Sequence, residues 1–357
     1  MVPAHRGGEQ QYAVQILRAV AAFTVVYLHT FTDPVFGLFG VDLFFVISGY
    51  VMCMIVDSRS PRPALFLMDR ITRIVPLYWV VTTLVLIVAW LAPHLMGSTV
   101  ADIGDYLLSL LFVPHFREDG QLFPMLMVGW SLNYEMAYYV IIFVVLSIDR
   151  ARYKWWLAAA VIAVYLSNEL LDEATASQQF LDSPHWLEFI LGGLCYEIHR
   201  RALVPRIHPM LALLLAGLAY LSMVLMENSF AGRFFNAGVP SFFMLLFLLQ
   251  LEGEIRRLQA GVLRLIVHIG DSSYATYLTH MFVIGFVERV VLVRLGIEDD
   301  EFGAALFSIA FCLLVGSLTY RFVDLPLTRW ARALGRRLVP AEAAPLAHRS
   351  SGSPPRS

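Results

Sequence analysis

The chain has 357 residues, 58% of them hydrophobic and 15% charged, with a mean hydropathy of +0.67. That composition excludes an ordinary soluble domain, and a formal net charge of −2 implies no nucleic-acid partner. Cys53, Cys195 and Cys312 lie far apart in apolar stretches, with neither a zinc spacing nor a secreted disulfide framework, so no metal site is expected.

A polar segment, residues 1–12, precedes the first apolar run. Ten stretches then predict an all-α integral membrane protein, a bundle of about ten transmembrane helices: 13–31, 39–56, 74–92, 128–148, 155–170, 185–199, 208–226, 235–251, 274–295 and 303–323. A spanning helix needs about 20 residues. The stretches 155–170 and 185–199 are short for this, which implies tilt, extension or a local break.

The first stretch carries Arg18 and His29, and a charge at the centre of a span costs roughly 2.5–3.5 kcal/mol. The eleven positions between them amount to three turns plus about 20°, so both project from one face, about 16 Å apart along the axis. That pattern fits a helix lining a polar cavity; a snorkelling arginine and a histidine satisfied by a neighbouring helix would fit it too. The run is interrupted by Arg18 and lacks a small-residue cleavage site, which favours a retained signal-anchor helix over a cleaved signal peptide. The second stretch opens with Gly40-Val41-Asp42 and holds Ser48 and Gly49 deeper, where glycine permits close helix approach. Arg70 and Arg73, ahead of the third stretch, share a face if the helix already includes them. Paired guanidinium groups suit a phosphate or diphosphate, although topology alone would also place arginines there.

Tyr106–Phe116 is too short to span and is expected to be interfacial or re-entrant. The fourth span begins near Trp130 and Tyr134, with Glu135 a turn or two inside and Tyr138 and Tyr139 beside it; an isolated intramembrane carboxylate is a functional candidate by default. The ninth carries Ser273 to His280, placing His280 in the inner half of the membrane, where it could equally be a packed histidine; Glu288 further along has no assigned role beyond neutralising Arg289 or Arg294. Pro340–Ser357 is rich in Pro, Ser and Ala and is expected to be a disordered tail. The domain division is therefore 1–12, a transmembrane unit at 13–326, and a basic then disordered tail at 327–357.

Lys and Arg set the orientation. With both termini cytoplasmic, 22 of the 26 cationic residues fall inside, and Arg117, Arg233, Arg289 and Arg294 fall outside.

Five blocks in this order resemble the acyltransferase-3 family of membrane O-acyltransferases, nearest its exopolysaccharide-acetylating branch. They are Arg18…His29 in QILRAVAAFTVVYLH, GVDLFFVISGYVM from Gly40, RITR at 70–73 before IVPLYW, VGWSLNYEMAYYV at 128–140, and SYATYLTH at 273–280. The resemblance spans Gln15–Pro326 and lacks the extracytoplasmic hydrolase-like domain of some members. It implies an enzyme of the bacterial cytoplasmic (inner) membrane. That enzyme moves an acyl group, acetyl by default, from cytoplasmic acyl-CoA to a hydroxyl of an extracytoplasmic or lipid-linked carbohydrate such as an exopolysaccharide. No cofactor is bound permanently, and acetyl-CoA is a co-substrate. The other expected partners are the carbohydrate acceptor, membrane lipids and polysaccharide-assembly proteins.

On this reading His29 is the catalytic base, as imidazole suits proton transfer near neutral pH. Glu135 orients the imidazole or the acceptor, with Asp42 the second choice. Arg18, Arg70 and Arg73 bind the donor; Asp42, Trp130, Tyr134 and His280 bind the acceptor or orient it. A direct transfer and an acyl-histidine route both remain open. The rivals are acylation of a small molecule such as a macrolide and, from another class, a transporter or flippase for a lipid-linked sugar. The latter is disfavoured by the absence of a convincing internal repeat.

Overall fold

The computed structural model describes residues 11–31, 39–96, 99–172, 175–226, 232–258, 261–296 and 302–338. The expected N-terminal segment and disordered tail therefore fall almost wholly outside the described residues. Those residues are helical, without a strand: α1 (Tyr12–Thr30), α2 (Gly40–Arg59), α3 (Pro63–Leu91), α4 (Ile103–Leu110), α5 (Trp130–Ile148), α6 (Tyr153–Leu166), α7 (Ala176–Leu181), α8 (His185–Arg200), α9 (Pro209–Leu225), α10 (Val239–Gln250), α11 (Glu252–Arg257), α12 (Gly261–Phe286), α13 (Val293–Leu295), α14 (Phe302–Thr319) and α15 (Leu325–Leu338). Long apolar runs favour helices because each then satisfies its own backbone groups. Among the described residues, five helical stretches are long and apolar enough to cross a membrane: Tyr12–Thr30, Gly40–Arg59, Pro63–Leu91, Met127–Ile148 and Phe302–Arg337; Pro209–Leu225 and Phe234–Gln250 are apolar but shorter. Large apolar side chains such as Trp90, 76% exposed, and Trp155, 80% exposed, cover the periphery, as a lipid-facing surface requires.

Local chemistry sets the helix ends. The first N–H groups of α1, at Tyr12 and Ala13, donate to the Glu252 carboxylate of α11 at 3.1 and 2.8 Å, an anion where the helix dipole favours one. Pro63 opens α3, where its missing N–H is no loss. Asp102 caps α4 by accepting from Asp105 N–H at 2.7 Å; this helix of eight residues does not span, as expected for the 106–116 stretch.

Small residues fix the packing. A Cβ on Gly49 would come 2.1 Å from the Phe189 carbonyl oxygen, and one on Gly192 would come 2.1 Å from that of Val46, so α2 and α8 meet backbone to backbone. Gly270 meets Gln15 in the α12–α1 contact, and Gly316 meets Thr276 between α14 and α12. Gly49→Ala is expected to destabilise the protein by about 1–3 kcal/mol through forced separation of α2 and α8, read as a lower unfolding midpoint in detergent.

The buried core is rich in tyrosine, and hydroxyls there bond across helices: Tyr78 donates to the Ser109 carbonyl at 3.1 Å, and Tyr153 to Asp57 at 2.7 Å. Asp57, Lys154 and Glu197 form an ion-pair cluster that ties together the ends of α2, α6 and α8.

Two helix boundaries depart from expectation. α3 starts at Pro63 rather than 74, so Arg70 and Arg73 lie well within it. α12 starts at Gly261 rather than 274, because Gly261–Ser273 continues the apolar face despite Arg264, His268 and Asp271. α12 runs in the same sense as α1, with Gly270 beside Gln15 and Ser273 beside Arg18, so the added turns carry His280 to the level of His29, beyond its expected position in the inner half. The chain also stays helical from α14 through a π turn at Tyr320–Asp324 into α15, where a basic tail was expected from residue 327. Further π turns occupy Phe234–Gly238 and Val287–Leu292. Each of the three carries or borders charged residues (Asp324; Arg233; Glu288 and Arg289), in keeping with the use of π turns to re-aim side chains.

Candidate active site

Two cavities hold the residues the sequence singled out, and α1 and α12 contribute side chains to both. The first, with ≈ 870 Å³ of empty space, is lined by Arg18 of α1, Arg70 and Arg73 of α3, Ser48 of α2, Glu135 of α5 and Tyr277 of α12. Its cations are held unequally. Arg18 Nε donates to Ser273 Oγ at 3.2 Å. Arg73 Nη1 donates to Asp324 Oδ2 at 2.6 Å, and its guanidinium lies 5.2 Å from the Tyr274 ring centroid. Arg70 has its Nε buried without a hydrogen-bond partner. Glu135 accepts from Ser48 Oγ at 3.0 Å and from Tyr139 in a short hydrogen bond. With Arg73 neutralised by Asp324, Arg18 and Arg70 face Glu135 alone among the carboxylates lining this cavity, an arrangement that favours an anionic ligand.

The second cavity, with ≈ 1360 Å³ of empty space, is lined by His29, Thr99, Arg117, Glu288, Arg289 and apolar side chains including Met125 and Met281. The His29 ring centroid lies 5.2 Å from that of His280. His280 Nδ1 lies 2.7 Å from the Tyr277 carbonyl, so Nδ1 carries the proton and Nε2 presents a lone pair; Nε2 is buried without a partner.

Tyr277 links residues of the two linings. Its ring lines the arginine cavity, and its hydroxyl donates to the Val128 carbonyl at 2.7 Å and pairs with Ser131 Oγ at 2.8 Å; Val128 in turn lines the histidine cavity.

The structure thus brings Arg18, Arg70, Arg73 and Glu135 together, and separately His29 with His280. It does not bring Glu135 against His29: its contacts run to Ser48 and Tyr139. Asp42 belongs to a third group. It is fully buried and bound at both oxygens by Arg233, Nε at 2.8 Å and Nη2 at 2.7 Å. His185 Nδ1 lies 3.3 Å from Glu188 Oε2 and 3.8 Å from Asp42 Oδ1. Asp42, His185 and Glu188 could each offer a metal one ligand atom, yet Arg233 already occupies both Asp42 oxygens. Trp130 and Tyr134 pack on His185 at 5.3 and 5.8 Å, and line a small space with Pro114 and Phe180 away from His29. Of the residues the sequence left unassigned, Glu188 carried a usable signal, a carboxylate inside a predicted span. Arg233 and Asp324 carried none, since each lies at a predicted span boundary.

A family model described as an acyltransferase domain matches residues 11–321. An exopolysaccharide production protein of Rhizobium meliloti, ExoZ, is 31% identical over 312 residues, 85% of this chain and 93% of the relative. The acyltransferase MdmB of Streptomyces mycarofaciens is 26% identical over 334 residues, 84% of this chain and 82% of the relative. No solved structure matches the chain. The match runs from α1 to the π turn before α15 and takes in both cavities, and the chain belongs to the acyltransferase-3 family.

Proposed function

We propose that the protein is a multi-pass O-acyltransferase of the bacterial cytoplasmic membrane that binds acyl-CoA in the arginine cavity and acylates a carbohydrate hydroxyl in the histidine cavity. Ten spans with both termini cytoplasmic fit the packing. α1 and α12 run in one sense, and α2 and α8 share the other, with Asp42 beside His185 and Asp57 beside Tyr196. α3 opposes α15, pairing Met68 with Gly335 and Arg73 with Asp324. The arginine cavity then opens toward the cytoplasm and the histidine cavity toward the outer side.

The observation that carries this reading is that one helix pair, α1 and α12, lines a cationic cavity with Arg18 and Tyr277 and a histidine-lined one with His29 and Met281. Arg18 and Arg70 would hold CoA phosphate, and the acylated thiol arm would reach toward Tyr277. His29 takes the acceptor O–H proton as the oxygen attacks the thioester carbonyl; the new C–O bond forms, the C–S bond breaks, and the proton passes to the departing thiolate. His280, fixed through Nδ1, is positioned to orient His29.

Acetyl is the proposed acyl group. The likeness to an exopolysaccharide production protein supports a saccharide acceptor, free or lipid-linked. Purified protein with acetyl-labelled acetyl-CoA and a lipid-linked oligosaccharide pool tests the proposal: label should enter the saccharide with equimolar CoA release. Label that stays on the donor across varied saccharides would refute a carbohydrate acceptor.

A further inference from the structure

The helix that brings Arg70 and Arg73 to the arginine cavity, α3, is packed by a helix that lies beyond the last predicted span. α15 lies flush on α3: a Cβ on Gly335 would come 2.8 Å from Met68 Cγ, and Asp324, one residue ahead of α15, is bonded to Arg73. This seating brings Arg332 within electrostatic reach of Asp69, Arg70, Arg73 and Arg336. The Nε atoms of Arg70 and Arg332 are both buried and without a hydrogen-bond partner.

The charge balance around them is incomplete. Asp324 is committed to Arg73 and to Thr328, which donates to its other oxygen at 3.2 Å. Glu135 faces Arg70 from the cavity side, and Asp69 is the carboxylate that acts on Arg332, against Arg70, Arg73 and Arg336. Like charges held together in a partly buried place repel unless an anion bridges them, and a phosphate accepts several guanidinium hydrogen bonds at once. Arg70 lines the arginine cavity and Arg332 does not; with both termini cytoplasmic as proposed, α15 follows the last span on the side from which the donor enters. A CoA molecule inserted acyl end first leaves its ribose 3′-phosphate outermost.

We propose that Arg332 of α15, together with Arg70, binds the 3′-phosphate of the CoA donor, so that the C-terminal helix is part of the donor site. The proposal rests on the reading of acyl-CoA as donor. Arg73, tied to Asp324, anchors α15 in place rather than contacting this phosphate.

Titration of the full chain with CoA and with 3′-dephospho-CoA, in phosphatidylcholine nanodiscs, tests it. The wild type is expected to prefer CoA. Arg332→Gln is expected to weaken CoA about tenfold and leave 3′-dephospho-CoA within about twofold, with the preference partly restored in Arg332→Lys. An unchanged unfolding midpoint in ligand-free Arg332→Gln accompanies this result. Wild-type protein that binds neither nucleotide overturns the donor reading itself. Wild-type CoA binding with an undiminished preference in Arg332→Gln overturns the proposal alone, as does equal loss of both nucleotides. A parallel titration in nanodiscs containing phosphatidylglycerol separates the other phosphate source. If Arg332→Gln changes retention of that lipid and not the nucleotide preference, the group serves a lipid headgroup and the proposal fails.

Discussion

Replacing His29 with alanine is expected to lower acyl transfer by about 10²–10⁴-fold while acyl-CoA binding stays within about twofold of wild type. The separation of the cavities is the reason. His29 lines the second cavity beside His280, and Arg18, Arg70 and Arg73, the proposed donor-binding cations, line the first. Removing the imidazole therefore takes away a proton acceptor and leaves the anion site intact. Arg70→Ala is expected to do the reverse, raising the donor KM about tenfold or more with a smaller change in kcat, because Arg70 acts on the bound phosphate before and during transfer alike. Steady-state kinetics with both substrates varied, joined to direct CoA binding, resolve the two patterns. Equal loss of CoA binding in His29→Ala would contradict the division of roles.

Asp42→Ala is expected to destabilise the protein by about 3–5 kcal/mol. The carboxylate is fully buried and accepts two hydrogen bonds from Arg233, so its removal strips the guanidinium of both and leaves Glu188 as its remaining carboxyl neighbour. The paired replacement Asp42→Leu with Arg233→Met removes both charges and is expected to recover most of that stability. Unfolding midpoints of the single and double variants give the coupling directly. A role for Asp42 in holding the acceptor would instead appear as a raised acceptor KM in a variant of wild-type stability.

Much of the fold was legible because apolar runs of spanning length leave little choice but helix, and the glycines mark where helices meet. Arg18 and His29 were readable as one face of α1 from spacing alone. The boundaries of α3 and α12 were not, since hydropathy drops at Asp69–Arg73 and at His268–Ser273 while the helix continues through them. The site was half legible for the same reason. Intramembrane Arg70, Glu135 and His280 stand out against an apolar background, but which of them share a cavity depends on helix rotation and crossing. Glu135 lies with the arginines across from α1, and His280 meets His29 because α12 runs alongside α1, with Tyr277 and His280 one turn apart on it. Arg332 was hidden by its setting, one arginine among several in a segment that reads as a cationic tail until the π turn at Tyr320–Asp324 is seen to carry the helix back onto α3.

The sidedness of transfer tests the two-cavity account most directly. Proteoliposomes of single orientation would hold labelled acetyl-CoA sealed on the side of the arginine cavity, with saccharide acceptor supplied only on the other. The account predicts labelled acceptor outside and free CoA retained inside, both abolished by His29→Ala. Transfer that occurs only when donor and acceptor share one side would contradict it.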